Sequence, residues 1–123
     1  MNFITADQIL AHLVGDYILQ SHWMATEKTK RSLAAAIHAA CYTAPFFLLI
    51  LSPFALAFIC GTHFVIDRFR LARFVVWAKN GCTGPITATG YPEVVPAWLS
   101  VWLLIIADNT LHLICNGIAI KFL

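Results

Sequence analysis

The polar residues of this chain fall at helical intervals inside runs that are otherwise apolar. The first run, residues 3–20, spreads Ile9, Leu10, Leu13, Val14, Tyr17 and Ile18 over one broad side. It sets His12 and Asp16 one turn apart, the i, i+4 spacing that shares a helix face. Gly15 beside them allows a neighbouring helix close approach. Residues 21–32 form a polar connection in which Trp23 suits a membrane interface. The second run, 33–51, surrounds His38 with small residues and carries Pro45, which membrane helices tolerate. Ser52-Pro53 is a very short turn, so the second and third runs should pack antiparallel.

The third run begins at residue 54 and places His63 four residues before Asp67. It then becomes amphipathic through Arg68, Arg70, Arg73 and Lys79. This pattern predicts one helix over 54–79 that leaves the bilayer core near Asp67 and continues along the interface. Residues 80–92 are rich in glycine, proline and threonine and read as a loop. The last run, 95–120, has Trp98 and Trp102 as interface anchors and repeats the spacing in reverse order with Asp108 and His112. The prediction is an all-α, integral membrane four-helix bundle in a single domain, 1–123, with helices at about 3–20, 33–51, 54–79 and 95–120.

Composition strengthens the membrane reading. Hydrophobic residues make up 60% and charged residues 11%, against about 45–50% and about 25% in soluble domains. The net charge of +2 gives no basic footprint for nucleic acid. The basic residues cluster, with Lys28, Lys30 and Arg31 in one connection and Arg68, Arg70, Arg73 and Lys79 in another. The positive-inside rule then predicts an inner or plasma membrane protein with connections 21–32 and 68–94 cytoplasmic and both termini outside. The N-terminal run lacks a basic n-region and a small-residue cleavage site, so no cleaved signal is expected. The four cysteines form no C-x-x-C pair and read as reduced, small hydrophobes.

Counting 1.5 Å per residue tests whether the polar residues can meet. His38 lies about 8 Å from the inner end of its helix, Asp16 about 6 Å and His12 about 12 Å; counted from Trp102 as the interface, Asp108 lies about 9 Å in and His112 about 15 Å. His63 and Asp67 fall near the inner end of the third apolar run. All seven therefore fit one layer of the bundle. An ionised aspartate in hydrocarbon costs about 2.5 kcal/mol or more, and three of them call for compensation.

A divalent metal supplies it, since imidazole nitrogen and carboxylate oxygen are its ordinary ligands. One zinc takes about four ligands. The full set His12, Asp16, His38, His63, Asp67, Asp108 and His112 would serve a site of one or two ions. Interhelical hydrogen bonds or ion pairs, and a proton or ion path, remain open as alternatives. A metal site suggests metal-assisted hydrolysis. Asp16, Asp67 and Asp108 are the candidate catalytic carboxylates, with one not tightly bound acting as general base. Lys28, Arg68 and Arg70 are candidates for holding an anionic group such as a lipid phosphate, although simple topology also accounts for basic residues there.

His-Leu-Val-Gly-Asp-Tyr-Ile-Leu-Gln (12–20), Trp23, Lys28, Ile-His-Ala (37–39) and His-Phe-Val-Ile-Asp-Arg-Phe-Arg (63–70) together resemble a family of small bacterial and phage membrane proteins of unknown function. Its recurrent pattern is H-x-x-G-D-x-x-L-Q, a helix with a central histidine, and H-x-x-x-D. The match covers about the first 80 residues, and the last helix matches only through Asp108 and His112. A looser similarity is to predicted membrane-bound metal-dependent hydrolases. The resemblance implies membrane embedding and a grouped His/Asp site, with Gln20 as an outer hydrogen bonder to it. It brings no reaction.

The expectation is a membrane-embedded metal-binding protein, a hydrolase of a lipid-like or phosphorylated substrate at the cytoplasmic side, with zinc as the metal. The competing class is a metal- or proton-conducting protein, which at this length would need a homo-oligomer, or a non-enzymatic phage-type factor acting on a host partner.

Overall fold

The computed structural model describes residues 3–123. Its helices are α1 (Ala6–Leu13), α2 (His22–Glu27), α3 (Ser32–Thr43), α4 (Pro53–Phe69), α5 (Leu71–Lys79) and α6 (Ala97–Phe122), with no strand among the described residues. A π-helical turn, Val14–Ile18, extends α1, and a 3₁₀ turn, Ala44–Leu48, extends α3.

The helix starts follow ordinary capping chemistry. Thr5, Ser21 and Ser52 each accept a hydrogen bond from the backbone N–H three residues on, satisfying a donor that the first turn would leave orphaned. Pro53 follows its cap at a first-turn position, where its missing N–H costs nothing.

Breaks and one added short helix turn the four expected helices into six. Pro45 has no N–H to continue the α-helical ladder, and α3 gives way to the 3₁₀ turn there. Arg70 adopts φ 53°, in the left-handed region, and ends α4. The helix expected to run unbroken over 54–79 is therefore two helices meeting at Arg70. After Ile18 the chain turns and Ser21 starts the additional short helix α2. Among the described residues, α6 alone is long and apolar enough to cross a membrane.

Helix α3 packs on α4, α4 on α6, α5 on α6, and α1 on α6. The apolar core joins Ala11, Tyr42, Phe46, Ile50, Ala55, Leu56, Ile59 and Ala119. Gly15 lets the π turn lie close against α3, since a Cβ there would lie 2.6 Å from the Tyr42 carbonyl oxygen. Beside this apolar core a polar cluster is also buried, and many large apolar side chains are exposed. Gln8, His12, Asp16, His38, Thr43, His63, Asp67, Ser100, His112 and Asn116 are buried, while Leu48, Leu51, Phe54, Trp98, Trp102 and Ile106 are exposed.

Candidate metal centre

Four elements deliver the polar residues to one point. The π turn carries Asp16, α3 carries His38, α4 carries His63 and Asp67, and α6 carries Asp108 and His112. A π turn inserts an extra residue into a helix and is often found at functional sites. Here it closes through Leu19 N–H donating to the Val14 carbonyl at 2.9 Å, and Asp16 sits at its centre.

Asp16, His38, His63 and Asp67 are all buried, and each offers one ligand atom within 4.8 Å of the others. His38 Nε2 is 3.2 Å from Asp16 Oδ1, 3.2 Å from Asp67 Oδ2 and 2.9 Å from His63 Nε2. His63 Nε2 is 3.2 Å from Asp67 Oδ2 and 3.9 Å from Asp16 Oδ1. A tetrahedral zinc with ligands at about 2.0–2.1 Å separates its donor atoms by about 3.3 Å. The observed spacings bracket that edge length, so the four residues could hold a metal ion.

A second group, Asp16, Asp108 and His112, meets the same 4.8 Å criterion. His112 Nε2 lies 3.2 Å from Asp67 Oδ1 and 3.3 Å from Asp108 Oδ2. Asp67 thus turns one oxygen to His38 and His63 and the other to His112. The Nδ1 atoms of His38 and His63 are buried with no hydrogen-bond partner, so nothing in the protein competes with a ligand role for Nε2 by fixing the opposite tautomer.

His12 stands apart from both groups. Its Nδ1 faces the Tyr42 hydroxyl at 2.9 Å and its Nε2 faces Asn109 Oδ1 at 3.0 Å. An amide oxygen only accepts, so Nε2 donates to it and Nδ1 accepts from Tyr42. Asn116 Nδ2 in turn donates to the Tyr42 hydroxyl at 2.7 Å. Tyr17 donates to the same Asn109 oxygen at 2.8 Å. Both nitrogens of His12 are therefore engaged in a neutral chain beside the centre.

Lys28, just past the end of α2, reaches inward. Its Nζ is 2.7 Å from Asp67 Oδ2, 3.8 Å from Asp16 Oδ1 and 3.4 Å from His38 Nε2. Burial alone would lower its pKa, but the carboxylates of Asp67 and Asp16 outweigh that and hold it above the ordinary lysine value. The ammonium is charged at neutral pH.

A cavity of about 210 Å³ opens beside the cluster. Asp16, Asp67, Asp108, Lys28, Arg70, Arg73 and Gln20 line it together with the apolar Ile66, Ala72, Leu104 and Ile105. The Gln20 side-chain oxygen is buried without a partner. Arg70 also donates to the Ala88 carbonyl at 2.7 Å. Arg68 does not line the cavity, and ties α4 to the α2–α3 connection through the Thr29 carbonyl and Ser32.

Two participants escape a reading that looks only for His, Asp and the basic clusters. Tyr42 stacks on His63 with ring centroids 3.6 Å apart, and Asn116 holds the Tyr42 hydroxyl. Tyr42 follows His38 by four residues and Asn116 follows His112 by four, so helical spacing carried through to neutral polar residues was an available signal.

A family model described as a protein of unknown function, DUF3307, matches residues 4–122. The chain belongs to this family. The match extends over all six helices and so includes every residue of both His/Asp groups. No curated protein and no solved structure matches the chain.

Proposed function

We propose that this member of the DUF3307 family is a membrane-embedded, divalent-metal-dependent hydrolase acting on a phosphorylated, lipid-like substrate at the cytoplasmic side. The observation that carries the reading is the convergence of Asp16, His38, His63 and Asp67 beside a cavity lined by cationic and apolar side chains. The nitrogen and oxygen donor set suits zinc.

When bound, the ion acts as a Lewis acid toward a phosphoryl oxygen and makes water a better nucleophile. The chain supplies the rest. Lys28, Arg70 and Arg73 hold the anionic group, arginine in the two-pronged manner suited to phosphate. Asp108, the least buried of the three aspartates, orients water in the cavity. The apolar side chains of Ile66, Ala72, Leu104 and Ile105 accommodate the tail. In the net reaction water adds its oxygen to phosphorus, the P–O ester bond breaks, and the leaving alcohol takes a proton.

Membrane embedding rests on the buried polar cluster together with the many exposed apolar side chains. Exposed apolar side chains outside and satisfied or clustered polar groups inside are what a bilayer requires. Lys28, Arg70 and Arg73, which line the cavity, belong to the basic clusters assigned to the cytoplasmic side.

Metal analysis of the detergent-purified chain tests the first step. At least one zinc per chain is expected, lost in His63→Ala. Hydrolysis of p-nitrophenyl phosphate and of phosphatidic acid, abolished by chelator and restored by zinc, tests the second. Absence of stoichiometric metal overturns the reading. Metal or proton uptake by proteoliposomes without hydrolysis replaces it with a conducting protein.

A further inference from the structure

We infer that the centre takes two ions and that the second, held by Asp16, Asp108 and His112, is the one that meets a phosphate monoester. This rests on the metal reading proposed above and deepens it.

The two groups are not equivalent. The first has four protein ligands, all buried, which matches a closed, tightly held zinc. The second has Asp16, Asp108 and His112, with Asp67 Oδ1 as a fourth donor 3.2 Å from His112, so it receives substrate or water by expanding to five-coordinate, as catalytic zinc does. Access also differs. Asp16 and Asp67 of the first group and Asp16 and Asp108 of the second line the cavity, and none of His38, His63 and His112 does; the difference lies in Asp108. The Asp108 side chain is 28% exposed, against 3% for Asp67 and 5% for Asp16.

The carboxylates also link the groups. Asp16 belongs to both. Asp67 turns Oδ2 toward His38 and His63 and Oδ1 toward His112, each at 3.2 Å. A carboxylate with one oxygen on each side is the arrangement that sets two cations a few ångströms apart. Asp108 approaches His112 through Oδ2, which leaves its other oxygen for water in the cavity.

Charge selects the substrate class. Three carboxylates and the Lys28 ammonium leave a net charge of about two negative, taking each at its neutral-pH state. One divalent ion neutralises it. A second creates a positive excess of the size that a phosphate monoester dianion balances, with Arg70 and Arg73 at the cavity wall to add to it.

The test uses the full chain in detergent, stripped with chelator and titrated with Mn²⁺. Two equivalents are expected, with a spin-coupled Mn²⁺ signal in electron paramagnetic resonance. Asp108→Asn and His112→Ala should each retain one equivalent and the thermal stabilisation it gives, yet lower p-nitrophenyl phosphate turnover at least 100-fold. Asp108→Asn alters a half-buried side chain and keeps the test sound if His112→Ala fails to fold. A single equivalent that Asp108→Asn leaves untouched overturns the second ion and preserves the first. No bound Mn²⁺ or Zn²⁺ overturns both.

Discussion

The Nε2 atoms of His38 and His63 face each other across 2.9 Å, on helices α3 and α4, with Asp67 Oδ2 3.2 Å from each. Two imidazole nitrogens and a carboxylate oxygen converge there, and a single N–H proton can serve only one of those acceptors at a time. A cation serves all of them. Replacing either histidine with alanine should remove the tightly held ion, with a loss of affinity exceeding the about 10–100-fold typical of changes to outer partners. Metal content after dialysis and zinc-dependent melting both report this. In wild type, zinc at 100 times its Kd should stabilise the fold by about 2.7 kcal/mol, and in His63→Ala this increment should vanish.

Gly15 and Gly61 predict opposite outcomes for the same substitution. A Cβ on Gly15 meets the Tyr42 carbonyl oxygen at 2.6 Å and the Tyr42 Cα at 3.0 Å, both backbone atoms. Gly15→Ala must push the π turn off α3, costing about 1–3 kcal/mol, and it displaces Asp16 next to it. Bound metal should weaken along with the melting temperature. A Cβ on Gly61 meets nothing within 4 Å. Gly61→Ala inside α4 should raise stability by up to about 1 kcal/mol and leave metal content unchanged. Paired thermal melts of the two variants decide it.

These cases show which parts of the molecule were legible in the sequence. The His63/Asp67 and Asp108/His112 pairs could be read from i, i+4 spacing because helix geometry alone puts such residues on one face. The meeting of Asp16 with His38 could not, because it depends on the π turn re-aiming Asp16 and on the Gly15–Tyr42 contact. The break at Arg70 was also hidden, since an arginine in the left-handed region carries no sequence signal of the kind glycine gives. His12 had the same spacing to Asp16 as His63 has to Asp67, yet Tyr42 and Asn109 engage both its nitrogens. Only tertiary packing distinguishes those two fates. Lys28 likewise read as a member of a basic cluster and a candidate for holding an anionic group, and in the fold its ammonium also turns inward to Asp67.

The His12 chain makes its own prediction. Tyr42→Phe keeps the ring that stacks on His63 and removes only the hydroxyl that His12 and Asn116 share. Two buried polar groups are left unpaired, at about 1–3 kcal/mol for such a loss. Metal stoichiometry should hold, because neither Tyr42 nor His12 contributes a ligand atom to the groups of closely spaced donors. His12→Ala should behave alike, less stable but still loaded. If metal analysis shows His12→Ala empty while circular dichroism shows it folded, His12 is a ligand and the assignment of Asp16, His38, His63 and Asp67 as the complete first set is wrong.

Lys28 separates ion binding from substrate binding. Its ammonium sits 2.7 Å from one candidate ligand and 3.8 Å from another, so it stabilises the metal-free cluster and opposes an incoming cation. Lys28→Gln removes that opposition. The metal should bind tighter by about tenfold, a fraction of the about 4 kcal/mol that unit charges 4 Å apart exchange at an effective dielectric of 20. Loss of the same charge from the cavity wall should weaken inhibition by inorganic phosphate by about tenfold and raise KM for p-nitrophenyl phosphate, with a smaller effect on kcat. Lys30, exposed and paired with Glu27 at 3.5 Å, is the control, and Lys30→Gln should change neither quantity, as expected for a surface ion pair. Metal titration and phosphate inhibition on the two variants give the answer together. Should Lys28→Gln weaken the metal, the lysine orients Asp67 for coordination and does not compete with the ion.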